Sequence, residues 1–147
     1  MIKDALAEIV ERDLLKLREE ISLYKNEDNL WITEKQISNS AGNLALHLIG
    51  NLNHFIGATL GNTGYVRQRD DEFSLKNVPR HDMIVNLENC ILIVKESLSK
   101  MTDADMAKEF PLEKHGEVVT NLQMLLHLYG HLSYHLGQIN YHRRLIA

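Results

Sequence analysis

The sequence predicts an all-α protein, a four-helix bundle formed by residues 1–147 as one domain. Three observations point there. Apolar residues recur at steps of three to five over four stretches of about 20 residues, the period of helices that bury one face. Only two prolines and eight glycines occur among 147 residues, so little interrupts those stretches. One modest connection and two long ones separate them, and long connections permit crossovers, which leaves the helix order open.

The first helix covers residues 2–25. Ile2, Leu6, Ile9, Leu14, Leu17, Ile21 and Tyr24 make its stripe, and Asp4 and Glu8 lie near its start, where carboxylates favour the helix dipole. The run NEDN at 26–29 ends it. Residues 26–38 form a connection with the only tryptophan, Trp31, expected to cap one end of the core or to wall a ligand pocket. The second helix runs from about Ser38 to Leu60, with Ser38 or Ser40 as its cap. Leu44, His47, Leu48, Asn51, Leu52 and Phe55 fall near one stripe, and Gly61, Asn62 and Gly64 supply the stop.

Residues 61–78 read as a long polar loop. Arg67 and Arg69 are candidates there for holding an anionic substrate. The plainer reading is a solvated loop in which they pair with Asp70, Asp71 and Glu72. Pro79 suits the first turn of the third helix, which runs to about Lys100 on Ile84, Leu87, Ile91, Val94 and Leu98. His81 is expected to be exposed near its start. Residues 101–119 form the second long connection, with a short turn from Thr102 and a small hairpin or lid around His115–Gly116. Thr120 and Gln123 match a capping box and open the fourth helix. Its packing residues are Leu122, Leu125, Leu126, Tyr129, Leu132, Leu136 and Ile139. Gly130 and Gly137 are expected to let a neighbouring helix approach closely.

Composition excludes several classes. Hydrophobic residues make up 44% and charged residues 24%, and the net charge is −4 without a basic patch. Nucleic acid is therefore not an expected partner. No apolar run reaches the roughly 18 residues of a membrane span, and residues 1–25 are too charged for a signal peptide. The single cysteine, Cys90, has no internal partner and sits in the apolar run NCILIV, as a packed core thiol does. A cytoplasmic location is the expectation.

The chemistry gathers on the fourth helix. It carries His127, His131, His135 and His142, half of the eight histidines. Residues four apart share a face, so His131 and His135 present imidazoles about 6 Å apart, a separation that can hold one metal ion. A third ligand has to come from another helix. His47 stands mid-helix inside LALHLIG, where a hydrogen-bonded core histidine is the commoner outcome and a ligand the functional one. His54 lies about 10 Å further along the axis, too far to join it. Three neutral imidazoles leave a position open for water or substrate, as in catalytic sites. Nitrogen ligands suit zinc or nickel, and also iron or copper. His127 lies about 80° from His135 around the helix, as an alternative ligand, a neighbour of the ligands or a packing residue. His142, near the end, reads as solvated. Tyr134, Tyr129 and Gln138 are candidates for orienting ligands or substrate. The HExxH signature is absent, because Leu132 follows His131.

A histidine in the second helix (NLALHLIGNLNHFIG) and HLSYHLGQI in the last one resemble the DinB/YfiT-like superfamily of metal-dependent enzymes. The loop GYVRQRDDEF resembles a small bacterial branch of it. The resemblance extends over about residues 5–145. It implies a four-helix bundle in up-down-down-up order, with a divalent metal held by His47, His131 and His135. It also implies a homodimer and a small-molecule substrate, with a low-molecular-weight thiol activated at the metal for S-transfer. Fold alone does not assign the reaction. A metal-dependent hydrolase on the same ligands is the alternative, and a non-catalytic helical module for dimerisation or stress-linked binding is another.

Overall fold

The computed structural model describes residues 1–146, and it is helical with no extended strand among them. Helix α1 spans Ile2–Leu23. A single 3-10 turn, Glu27–Trp31, follows it. Helix α2 spans Ala41–Leu52 and is prolonged by a π-helical turn, Asn53–Ala58. The short α3, Arg69–Ser74, precedes α4, Arg80–Ser99. The four-residue α5, Asp103–Met106, precedes α6, Asn121–Ile146. Four of these are long, as the apolar periodicity predicts.

Cross-helix contacts give the bundle its order. Helix α1 packs on α4 and α6, and α2 packs on the same two helices, so α1 and α2 stand diagonally. Arg12 meets Tyr129 and Glu20 meets Arg143, so α1 and α6 run in the same direction. Lys95 meets Glu11 and Arg18 meets Glu88, so α4 runs opposite to α1. Cys90 contacts Ile49, and Ile93 faces Gly57, so α2 and α4 are parallel. The order is up-down-down-up: the connections from α1 to α2 and from α4 to α6 cross a diagonal, and the one joining the parallel α2 and α4 returns along the length of the bundle.

One continuous core fills the centre. Leu14, Leu17, Ile21, Leu48, Leu52, Leu87 and Leu128 are fully buried in it. Each contributes roughly 1.5–3 kcal/mol through removal from water. Cys90 is buried among them, and burial pushes its thiol up to about 12, so it packs and does not react. The local signals hold at several ends. Ser40 Oγ accepts from Asn43 N at 3.2 Å and caps α2. Thr120 and Gln123 close their capping box at 3.1 and 2.8 Å. His115 and Gly116, both at positive φ, turn the tight hairpin between Lys114 and Glu117.

Four expectations are corrected. The second helix does not run on regularly to Leu60. It widens at Asn53, where bonds such as Gly61 N to Ile56 O (2.9 Å) skip five residues. Residues 61–78 are not a featureless solvated loop, because α3 docks there. Gly130 and Gly137 admit no neighbouring helix: a methyl group at either would meet nothing within 4 Å. They lie with Leu126, Tyr134 and Tyr141 on the exposed face of α6. His142 is not solvated. It is 5% exposed, and Tyr24 Oη donates to its Nδ1 at 2.6 Å while its Nε2 donates to Ile32 O at 2.8 Å. The short connection before α2 folds back over the end of α6, a contact that no local pattern announces.

Candidate metal centre

Helix α6 sets His131 and His135 one turn apart, and the antiparallel α2 brings His47 against them. His47 Nε2 lies 3.0 Å from His131 Nε2, and His135 Nε2 lies 3.1 Å from the same atom. The three ligand atoms lie within 4.8 Å of one another. His47 is buried, and His131 and His135 are half-buried. Nitrogens bound at about 2.0–2.1 Å to one ion, at octahedral to tetrahedral angles, stand about 2.8–3.4 Å apart. The two short separations match that spacing.

Proton counting makes the fit sharper. His47 Nδ1 donates to Glu72 Oε1 at 3.0 Å, so its Nε2 carries a lone pair. His135 Nδ1 donates to Gln138 Oε1 at 2.7 Å, so its Nε2 carries one too. Only His131 has a proton to offer, and it can point at one neighbour. At least one of the two close nitrogen contacts then has no hydrogen in it. Burial depresses the pKa of His47 despite the raising effect of Glu72. Burial, with His135 and His47 adding, takes His131 down to about 4. Burial thus disfavours extra protons on His47 and His131, and with the His131 proton on its unpartnered Nδ1 three lone pairs converge, which a divalent cation satisfies. The donor set fits zinc, nickel, iron or copper alike.

Glu72, expected on a solvated loop, is buried. It pairs with Arg67 as expected, but inside the protein. Arg67 Nε donates to its Oε2 and Arg67 Nη2 to its Oε1, each at 2.9 Å. Glu72 is 6% exposed and orients His47. Asn43 holds α3 in place, since its Nδ2 donates to Glu72 O at 3.0 Å and to Leu75 O at 2.8 Å. The Phe73 ring then lies 4.8 Å from the His47 ring. Gly50 leaves the gap that the Glu72 carboxylate fills, because a Cβ there would collide with it. That mid-helix glycine in LIGNL is the one local sign of a buried group docking on α2.

A family model described as "protein of unknown function (DUF1572)" matches residues 5–147. The chain belongs to this family. No curated protein matches the sequence.

In this DUF1572 chain the remaining candidates distribute around the triad. His127 stacks on His131 with ring centres 6.5 Å apart, outside the cluster of ligand atoms. Tyr134 meets the edge of the His135 ring at 5.3 Å, and Gln138 accepts from that ring. Trp31 packs over Gly42 and lines neither of the cavities beside the histidines. One of those, about 520 Å³, opens beside His135 and is walled by Tyr134, Gln138, Tyr141 and His142. The other, about 370 Å³, opens on His47, His131 and His127 and includes Arg67 and Arg69. Both volumes are of the size that holds small molecules. Among the described residues, no helix is long and apolar enough to cross a membrane.

Proposed function

We propose that this DUF1572 protein is a metal-dependent enzyme acting on small molecules, and that it transfers a low-molecular-weight thiol to an electrophile. The observation that carries the reading is the convergence of His47, His131 and His135 on one point, with two of the three tautomers set by Glu72 and Gln138. Zinc or nickel is the metal proposed first, with iron or copper compatible with the same donors. A divalent ion bound there would act as a Lewis acid that lowers the pKa of a thiol or a water.

The chain's own residues do the rest. Burial keeps His47 neutral, and Glu72, whose charge is balanced by Arg67, turns its ring. Gln138 orients the His135 ring through its Nδ1. Tyr134 and Tyr141 wall the cavity beside His135, where an uncharged electrophile would lie. Thiol transfer is preferred over hydrolysis because Glu72 is fully engaged and cannot serve as a base for water. A thiol, with a pKa near 8.5 when free, needs far less help than water to become a nucleophile.

Membership of the DinB-like superfamily, a homodimer and a cytoplasmic location belong to the same proposal. The up-down-down-up order and the three-histidine cluster support the first. The test is consumption of a common thiol with a model electrophile by zinc- or nickel-loaded protein, abolished in His131→Ala. No turnover with any common thiol overturns the reaction. Ester hydrolysis without thiol would replace it with the hydrolase.

A further inference from the structure

The two cavities beside the triad differ in charge. The one beside His135 has no Asp, Glu, Lys or Arg in its lining. The other has Arg67, Arg69 and Lys114 against a single carboxylate, Glu113. This concentration of cations stands out in a chain of net charge −4. Arg67 is spent on Glu72. Arg69 and Lys114 have no carboxylate within the 4.0 Å of an ion pair among the described residues. Arg69 is nevertheless held in place, its guanidinium lying 5.2 Å from the centre of the Phe73 ring. The backbone from which Lys114 projects is held by the tight hairpin that pairs it with Glu117. Two cations in the lining of one cavity, without a carboxylate to neutralise either, are arranged for an anion.

We propose that this cavity is an anion-binding subsite, in which Arg69 and Lys114 take the carboxylate or phosphate end of one substrate. His127 and His115 line the same cavity and add ring N–H donors. Phe55, Met124 and Leu128 give the same cavity apolar lining. A ligand that fits is a short anion with a few apolar carbons and its reacting atom at the far end. The uncharged cavity on the other side of the triad would take a second, uncharged reactant. The inference deepens the reading of the triad as a reaction centre and rests on it for the word substrate, while anion binding itself needs no metal.

The test separates the two. Metal-free protein, dialysed clear of chelator, is titrated calorimetrically with succinate, with inorganic phosphate and with neutral succinamide. Succinate or phosphate is expected to bind at least about tenfold more tightly than succinamide, and whichever binds names the carboxylate or the phosphate source. R69E/K114E is expected to lose that preference, as is K114Q in part should the double variant fail to fold by circular dichroism. Raising the ionic strength from about 0.05 to about 0.3 M should weaken binding several-fold. Equal affinity for succinate, phosphate and succinamide overturns the subsite, and so does unaltered anion binding in the folded variants. Anion binding by a protein that consumes no thiol when metal-loaded would leave the subsite standing and remove the reaction.

Discussion

His47 Nε2 and His131 Nε2 lie 3.0 Å apart across the interface of α2 and α6, although 84 residues separate them in the chain. Neither helix makes this contact alone. It exists because α2 and α6 pack antiparallel and because Glu72 keeps the proton of His47 on the far side of its ring.

Removal of one ligand should remove the metal. His131→Ala and His135→Ala are expected to bind less than a tenth of an equivalent of zinc or nickel at concentrations that saturate the parent, roughly a hundredfold or greater loss of affinity, since two imidazoles make a weak site. His127→Ala should retain a full equivalent. Elemental analysis after gel filtration reads both. The parent should also melt lower after chelation, because an ion that binds only the folded state stabilises it.

Gly50→Ala offers a test in which two effects have opposite sign. Helix propensity alone would make alanine more stable by up to about 1 kcal/mol. The new methyl group would instead strike the Glu72 carboxylate. The variant is expected to be less stable than the parent and to bind metal about 10–100-fold more weakly, as Glu72→Gln should, because both disturb the group that orients His47. A stabilised variant with unaltered metal affinity would sink the role given to Glu72.

Acid should destabilise the metal-free protein in a defined window. The folded-state pKa of His131 is depressed to about 4, first by burial and then by His135 and His47. An unfolded histidine titrates near 6.5. Above about 6.5 both states are neutral and the contribution is complete. As pH falls towards about 4 only the unfolded chain takes up the proton, so stability declines through that range. His47, His54 and His127 shift in the same direction, each chiefly through burial. Urea midpoints of chelator-treated, dialysed protein between about pH 7.5 and 4.5 should fall, and His131→Leu should flatten part of the slope.

His142 is expected to matter for stability and not for metal. Tyr24→Phe removes the hydroxyl that donates to its buried Nδ1, which should cost about 1–3 kcal/mol. Chemical denaturation measures the loss, and elemental analysis should return an unchanged metal content. A fall in metal content with intact stability would move His142 from the fold to the site.

How much of this was legible in the chain varies with the range of the interaction. The four long helices, the serine cap at Ser40, the capping box at Thr120 and the hairpin at His115–Gly116 follow from local periodicity and turn chemistry. The pairing of His131 with His135 follows from a spacing of four on one helix. Glu72 was not legible as a partner of His47, because its neighbours in sequence are charged and only docking of α3 buries it. His142 misled for the same reason, lying near the end of the chain among arginines while the segment around Ile32 folds back over it.

The sequence by itself therefore determined the helices, the core stripe of each and two of three converging imidazoles. Those depend on residues within a turn or two of one another. Only the tertiary structure decided the up-down-down-up order, the meeting of His47 with the α6 pair, the burial of Glu72 with Arg67, and the separation of a cationic cavity from an uncharged one. Those depend on which helix faces approach across the bundle. That choice is made by the summed burial of all four stripes, and no single segment encodes it.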